Sequence, residues 1–166
     1  MIPELRQARE EDYPAIAAGL QTWWTQPGMS EAGGRERAAL VPRLWLQHFA
    51  GTSLVAEHED RLVGFLIGFL SQDRPEEGYI HFVGVAPGAR RTSVGRSLYQ
   101  RFFDTCRRAG RTRVRCVTSP QNTLSVTFHR AMGFEVEPGT EAVGTVLAKA
   151  DYDGPGAHRV AFVRAL

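Results

Sequence analysis

Apolar and polar positions change period several times along the chain, and each change marks an element. LRQAR, residues 5–9, alternates with the period of two of a strand. EEDYPAIAAGLQTWW after it spaces its apolar residues as a helix does, with Asp12 and Pro14 at the start. TQPGMSEAGGRER breaks the pattern with two glycine-containing turns, so residues 25–36 read as a mobile connection, either a lid over substrate or a plain surface loop. RERAALVPRLWLQHFA resumes helical spacing around Pro42, and places Leu40, Leu44, Trp45 and His48 toward the interior. In SLVAEHEDRLVGFLIGFLS two β-runs flank His58 to Arg61 as a hairpin, and the second run, apolar on both faces, belongs in the middle of a sheet. RPEEG then turns the chain into YIHFVGV, a third antiparallel strand.

From Tyr79 to Phe134 the order becomes strand, helix, strand, helix. YIHFVGVAP passes through the Arg-rich turn RRTSVG into a helix, and VRCV leads to SPQNTLSVTFHRAMGF, a second helix closed by Gly133. That order predicts parallel pairing on a mixed sheet. The first amides of a helix have no intrahelical partner, so with the helix dipole the RRTSVG turn can seat an anion such as phosphate. EVEPG reads as a short strand and HRVAFVRAL as a final one. The intervening residues 138–158, with Pro, several Gly and DYDGPG, form a connection long enough to be functional or locally structured.

A length of 166 residues predicts one domain, residues 1–166. Charged residues at 23% and hydrophobic residues at 43% are ordinary for a globular protein, and LVGFLIGFL is too short to cross a bilayer. MIPELRQARE is charged early and has no apolar signal core, so a cytoplasmic protein is expected. Of the 20 basic residues all but Lys149 are Arg, yet the net charge is only +2; the Arg usage fits a GC-rich bacterial genome, and composition does not imply nucleic acid. Cys106 and Cys116 read as small buried hydrophobes. His48, His58 and His158 lack ligand spacing, so no metal is expected. Ser93, Ser97 and Ser125 lack a nucleophile-elbow context, which argues against an acyl-enzyme.

VGVAP, the turn from Arg90 to Gly95, and NTLSVTFHRAMGF together resemble the GNAT superfamily of N-acetyltransferases. The family's turn has Arg or Gln, two residues, Gly, one residue, then Gly or Ala; Arg90, Arg91, Thr92, Ser93, Val94 and Gly95 fill it, with Ser93 where Gly usually stands. The resemblance covers residues 53–137 in detail and the flanks by element order. It implies an α/β (α+β mixed sheet) fold of about seven strands, with an antiparallel first half and a parallel strand-helix-strand centre whose splayed strands leave a cofactor cleft. It implies acetyl-CoA as co-substrate. Val83 and Val85 would offer main-chain bonds to pantetheine, and the amides of Arg90 to Arg96 would surround the pyrophosphate, with the Arg91 and Arg96 side chains on the phosphates. Asn122 would hold the pantetheine arm, unless it is a helix cap, and Phe128 would line the same channel or the adjacent core.

Acetyl transfer needs a neutral amine, and the departing sulfur gains from a proton donor. Where many members of the family have a Glu on the strand before the turn, this chain has Tyr79; His81, two residues on and on the same face, resembles the His proton acceptor of the arylalkylamine acetyltransferases. A structural His is the other reading. The family's thiolate acid, a Tyr four residues before the Gly of the GF ending, is replaced by His129, which could donate when protonated or could serve packing. Trp23, Trp24 and Tyr79 could wall an acceptor pocket, with Glu31, Asp151 or Asp153 drawing a cationic amine, although core packing is the plainer reading of the Trp pair. The expected function is direct transfer of acetyl from acetyl-CoA to a primary amine of a small molecule, peptide or protein, without nucleic acid or membrane, and with a homodimer left open. The alternatives are a non-catalytic acyl-CoA sensor and, because nine Arg run from Arg90 to Arg115, an Arg-rich nucleic-acid-binding module that lacks interleaved stacking aromatics.

Overall fold

The computed structural model describes residues 2–24 and 31–166, without the side chains of residues 31 and 32. In chain order the elements are β1 (Glu4–Gln7), α1 (Tyr13–Thr22), α2 (Glu31–Leu40), α3 (Leu44–His48), β2 (Leu54–His58), β3 (Arg61–Leu70), β4 (Glu77–Val85), α4 (Val94–Arg108), β5 (Arg113–Thr118), α5 (Thr123–Ala131), β6 (Glu135–Val136), β7 (Glu141–Val143), β8 (Val146–Ala148) and β9 (Val160–Ala165). Seven strands make a mostly antiparallel mixed sheet in the order β1-β2-β3-β4-β5-β9-β6, with β4 and β5 parallel, while β7 and β8 form a hairpin of their own. The chain divides into two compact units, Met1–Phe69 with Ile80–Thr105, and Leu70–Tyr79 with Cys106–Leu166.

In the first unit, β2 and β3 are joined through Glu59 and Asp60, both left-handed at φ 50° and 58°. Two successive positive-φ residues make the turn whose twist matches paired strands. β3 is buried continuously from Val63 to Gly68, as its two-faced apolar run predicts. Gly68 lets α4 approach: a Cβ there would stand 2.6 Å from Cε2 of Phe102. The α4 face that fills this space is Val94, Leu98, Tyr99, Phe102 and Phe103, at helical spacing and all buried. A second cluster gathers Ile16, Leu20, Val41, Leu46, Val55, Phe65 and Ile67 beneath α1, α2 and α3.

Two expectations are corrected here. Residues 31–36, expected in a mobile connection, are helical in α2; the remainder of that segment, 25–30, lies outside the described residues. Gly34 acts as a packing residue rather than a turn, since a Cβ on it would lie 3.1 Å from the carbonyl oxygen of Gln21. Pro42 divides two helices, and its carbonyl accepts from Trp45 N at 3.0 Å. The divide also rotates the buried side, which consists of Val41 and Leu46 with Trp45 half-buried; Leu40 and Leu44 are half exposed, at 52% and 50%, and His48 is exposed.

In the second unit, β9 pairs antiparallel with β5 from Arg113↔Ala165 to Thr118↔Val160, and with β6 at Glu135↔Val163 and Val136↔Phe162. The parallel ladder of β4 and β5 comprises Glu77↔Arg113, Gly78↔Val114 and Tyr79↔Arg115. At its start the buried Glu77 carboxylate accepts from Arg113 Nε at 3.0 Å and Arg115 Nε at 2.8 Å, and Arg115 also pairs with Glu137. Residues 138–158 are locally structured: after the β7–β8 hairpin, Lys149 and Arg159 exchange both backbone bonds and enclose a loop tied by Asp153 to Arg159 Nε (2.7 Å) and Asp151 to Gly156 N (2.7 Å). Among the described residues the main sheet has the expected number of about seven strands, and this hairpin adds two more.

Candidate active site

The Arg-rich turn follows from its neighbours. Pro87–Ala89 form a 3₁₀ turn after β4, and Arg90 N donates to Pro87 O at 3.3 Å. The backbone then passes through Arg91 at φ 60°, the left-handed conformation. Thr92 Oγ1 donates to Ala89 O at 2.6 Å and accepts from Val94 N at 3.4 Å. Ser97 N to Ser93 O, 2.8 Å, is a full helical bond at the start of α4, so the amides of Gly95 and Arg96 precede it in the first turn. Arg91, Thr92, Ser93 and Arg96 are exposed around those amides. Ser93 is not at positive φ, so a side chain in the family's usual glycine position brings no left-handed strain.

Arg90 differs from its neighbours. Its amide serves the 3₁₀ turn, and its guanidinium donates from Nε to Val85 O at 3.3 Å and from Nη2 to Trp23 O. The side chains of the turn that face outward are thus Arg91, Thr92, Ser93 and Arg96, while Val94 points into the core. Val83 and Val85, half-buried, lie on β4 just ahead of it.

His81 is held from two sides within the first unit. Its Nε2 donates to Leu40 O at 2.6 Å, and its ring stacks on Trp45 with centroids 4.2 Å apart. Burial pushes the imidazole pKa down, against a smaller upward effect of the Leu40 bond. The ring is therefore neutral at pH 7, with its lone pair on Nδ1. Trp24 lies 5.8 Å from Phe82, edge to face, and 5.7 Å below the Arg37 guanidinium.

In the second unit, Asn122 caps α5, its Oδ1 accepting from Ser125 N at 3.1 Å, which is the helix-cap reading. His129 is buried, stacked on Phe162 at 4.7 Å and edge-on to Phe134 and Phe128 at 5.3 and 6.0 Å. Its Nδ1 donates to Ser125 O at 2.7 Å, and burial lowers its pKa as well. The Tyr79 hydroxyl, whose pKa burial raises, hydrogen-bonds Tyr152 with Asp153 close by. Tyr152 carried no signal in the sequence, because only the tied loop brings it to Tyr79. Asp151 and Asp153 are used in that loop, the first also beside His158; the side chain of Glu31 lies outside the described residues. Among the described residues, no group of three or more His, Cys, Asp or Glu is arranged to hold a metal ion, and no helix is long and apolar enough to cross a membrane.

The family model described as Acetyltransferase (GNAT) family matches residues 4–134. The chain belongs to this family. An L-2,4-diaminobutyric acid acetyltransferase of Nocardia farcinica is 35% identical over 89 residues, 54% of this chain and 46% of that protein. A mycothiol acetyltransferase of Sanguibacter keddieii is 30% identical over 129 residues, 75% of this chain and 40% of that protein. The chain therefore spans less than half the length of these two relatives. A solved diaminobutyrate acetyltransferase of Paenibacillus lautus, in complex with L-2,4-diaminobutyric acid and coenzyme A, shares the fold at TM-score 0.69 and 19% identity, covering 99% of this chain and 95% of that one.

Proposed function

We propose that this protein transfers an acetyl group from acetyl-CoA to a primary amine of a small molecule, by direct attack in a ternary complex. The observation that carries the reading is the β4–α4 turn: the amides of Gly95 and Arg96 precede the first helical bond, and with the exposed Arg91 and Arg96 side chains they would seat a pyrophosphate in a chain of the acetyltransferase family. Val83 and Val85 would pair with pantetheine through their backbone. Asn122, with Oδ1 used as a cap, would reach it through Nδ2, beside Phe128.

The bound thioester supplies an activated acetyl carbon. A C–N bond forms to that carbon and the C–S bond breaks; one proton leaves the amine and one reaches the sulfur. His81 Nδ1, a lone pair on a neutral imidazole, is the proposed acceptor of the amine proton. His129 is the proposed donor to sulfur through Nε2, since Nδ1 is held by Ser125. Its lowered pKa makes the charged ring a stronger acid but a rarer one at pH 7. Trp24 is a proposed wall of the acceptor pocket, and Tyr79 is proposed in its own right as an acceptor contact.

The test is release of free CoA thiol from acetyl-CoA across polyamines, aminoglycosides, amino acids and peptide amino termini. L-2,4-diaminobutyric acid comes first, because the Nocardia relative acts on it by name. The protein's own thiols give little background: both cysteines are buried, and burial pushes Cys106 up to about 11 and Cys116 higher still. Turnover with a small amine supports the reading. CoA binding without thiol release across the panel would instead make the protein a sensor, and preference for peptides would move the acceptor class.

A further inference from the structure

Trp23 and Arg90 are 67 residues apart, yet the Arg90 guanidinium joins the carbonyl that ends α1 to the carbonyl that ends β4. A planar guanidinium presents several donors in a fixed fork, which is why one side chain can hold two backbone acceptors at a set separation. The residue carried by this clamp is Trp24. Its indole Cη2 comes within 3.1 Å of where a Cβ on Gly84 would stand, between Val83 and Val85, and its ring meets Phe82 edge to face. Arg37 also stands over the ring while donating from Nε to Leu20 O at 3.3 Å. Trp24 is thus placed by two arginines that each bind backbone carbonyls, rather than by deep burial, for it is only half-buried.

We propose that Arg90 is a positioning residue: it fixes the end of α1 on the end of β4 and so sets the Trp24 ring as a wall of the acceptor pocket. This differs from the usual expectation for an arginine at a phosphate-binding turn. The Arg90 charge faces two carbonyls inside its own unit, while Arg91 and Arg96 carry the outward charge. The acetyl-transfer reading underlies the kinetic part of this proposal, since it supplies the acceptor and the cofactor; the placement of Trp24 does not depend on it.

Arg90→Lys and Arg90→Ala separate the two roles, because Lys keeps the charge and loses the fork. The ligand-free proteins are compared first by tryptophan emission, with circular dichroism and melting temperature as the check on folding. A positioning Arg90 predicts a red-shifted emission in both variants, as Trp23 and Trp24 gain water. It further predicts an acceptor KM raised about tenfold in both, while the Kd for CoA stays within about threefold of wild type. Wild-type emission in both variants overturns the proposal. So does a loss confined to CoA affinity, rescued by Lys. Should the wild type neither bind CoA nor release thiol, the acetyl-transfer reading falls, and the emission comparison still decides whether Arg90 holds the Trp pair.

Discussion

His81 Nε2 donates to the Leu40 carbonyl oxygen at 2.6 Å, across 41 residues of chain, and this bond leaves the basic nitrogen of the ring at Nδ1. The stack on Trp45 fixes the ring plane. A base so placed has a limb in the pH profile below 6.5, the ordinary value from which burial lowers it. His81→Ala should cut turnover by about 10²-fold and remove that limb, while CoA still raises the melting temperature. Full activity in the variant would assign the proton to water or to the acceptor.

His129 poses the opposite demand, a charged imidazole in a site that disfavours charge. His129→Tyr restores a phenol where the family has one and should keep more activity than His129→Phe. Tyr must also fit against Phe162 and Phe134, at a packing cost of about 1–3 kcal/mol, so melting temperatures accompany the rates. Equal rates for Tyr and Phe would show that no proton passes through this position.

Gly95→Glu places bulk and negative charge among the first-turn amides of α4. The variant should fold, and it should lose the melting-temperature rise given by CoA, which at 100-fold excess over Kd corresponds to about 2.7 kcal/mol. Unchanged CoA binding would locate the phosphate seat elsewhere.

Glu77 is 3% exposed and accepts from two guanidinium groups, so Glu77→Ala leaves Arg113 and Arg115 short of their shared partner. Removing one side of a buried ion pair costs about 3–5 kcal/mol; because both Arg side chains are partly exposed, the low end is expected here. Urea unfolding of the variant measures it, and a loss below about 1 kcal/mol would mean that water replaces the carboxylate.

Stability should also fall on mild acidification. His81 and His129 have folded pKa values below 6.5, so the unfolded chain takes up their protons first as pH drops. Their contribution is complete above pH 6.5 and is lost between 6.5 and the folded values. Melting temperature should decline from about pH 7 to about pH 5, and less steeply in His129→Phe, where one titrating ring is gone. A flat or rising profile would contradict the burial of these rings.

Local pattern was enough for much of this protein. The existence of β1, the two-faced apolar run of β3, the Asp12 start of α1 and the helical spacing from Val94 to Phe103 depend on near neighbours and survive in the structure, although β1 ends at Gln7 and its burial does not alternate. So does the Arg-rich turn at the head of α4, whose backbone groups are positioned by Pro87, Thr92 and Ser93 within one short segment. The Gly33–Gly34 pair misled for a physical reason: glycine favours a turn in isolation, but here Gly34 allows the close approach of α2 to the end of α1. The same holds for the hairpin hidden in residues 138–158, whose strands are three residues each and too short to show a period. Which nitrogen of His81 is basic, where the Arg90 fork points and that Tyr152 meets Tyr79 were decided only by tertiary structure, because each depends on a partner tens of residues away whose approach no local pattern encodes.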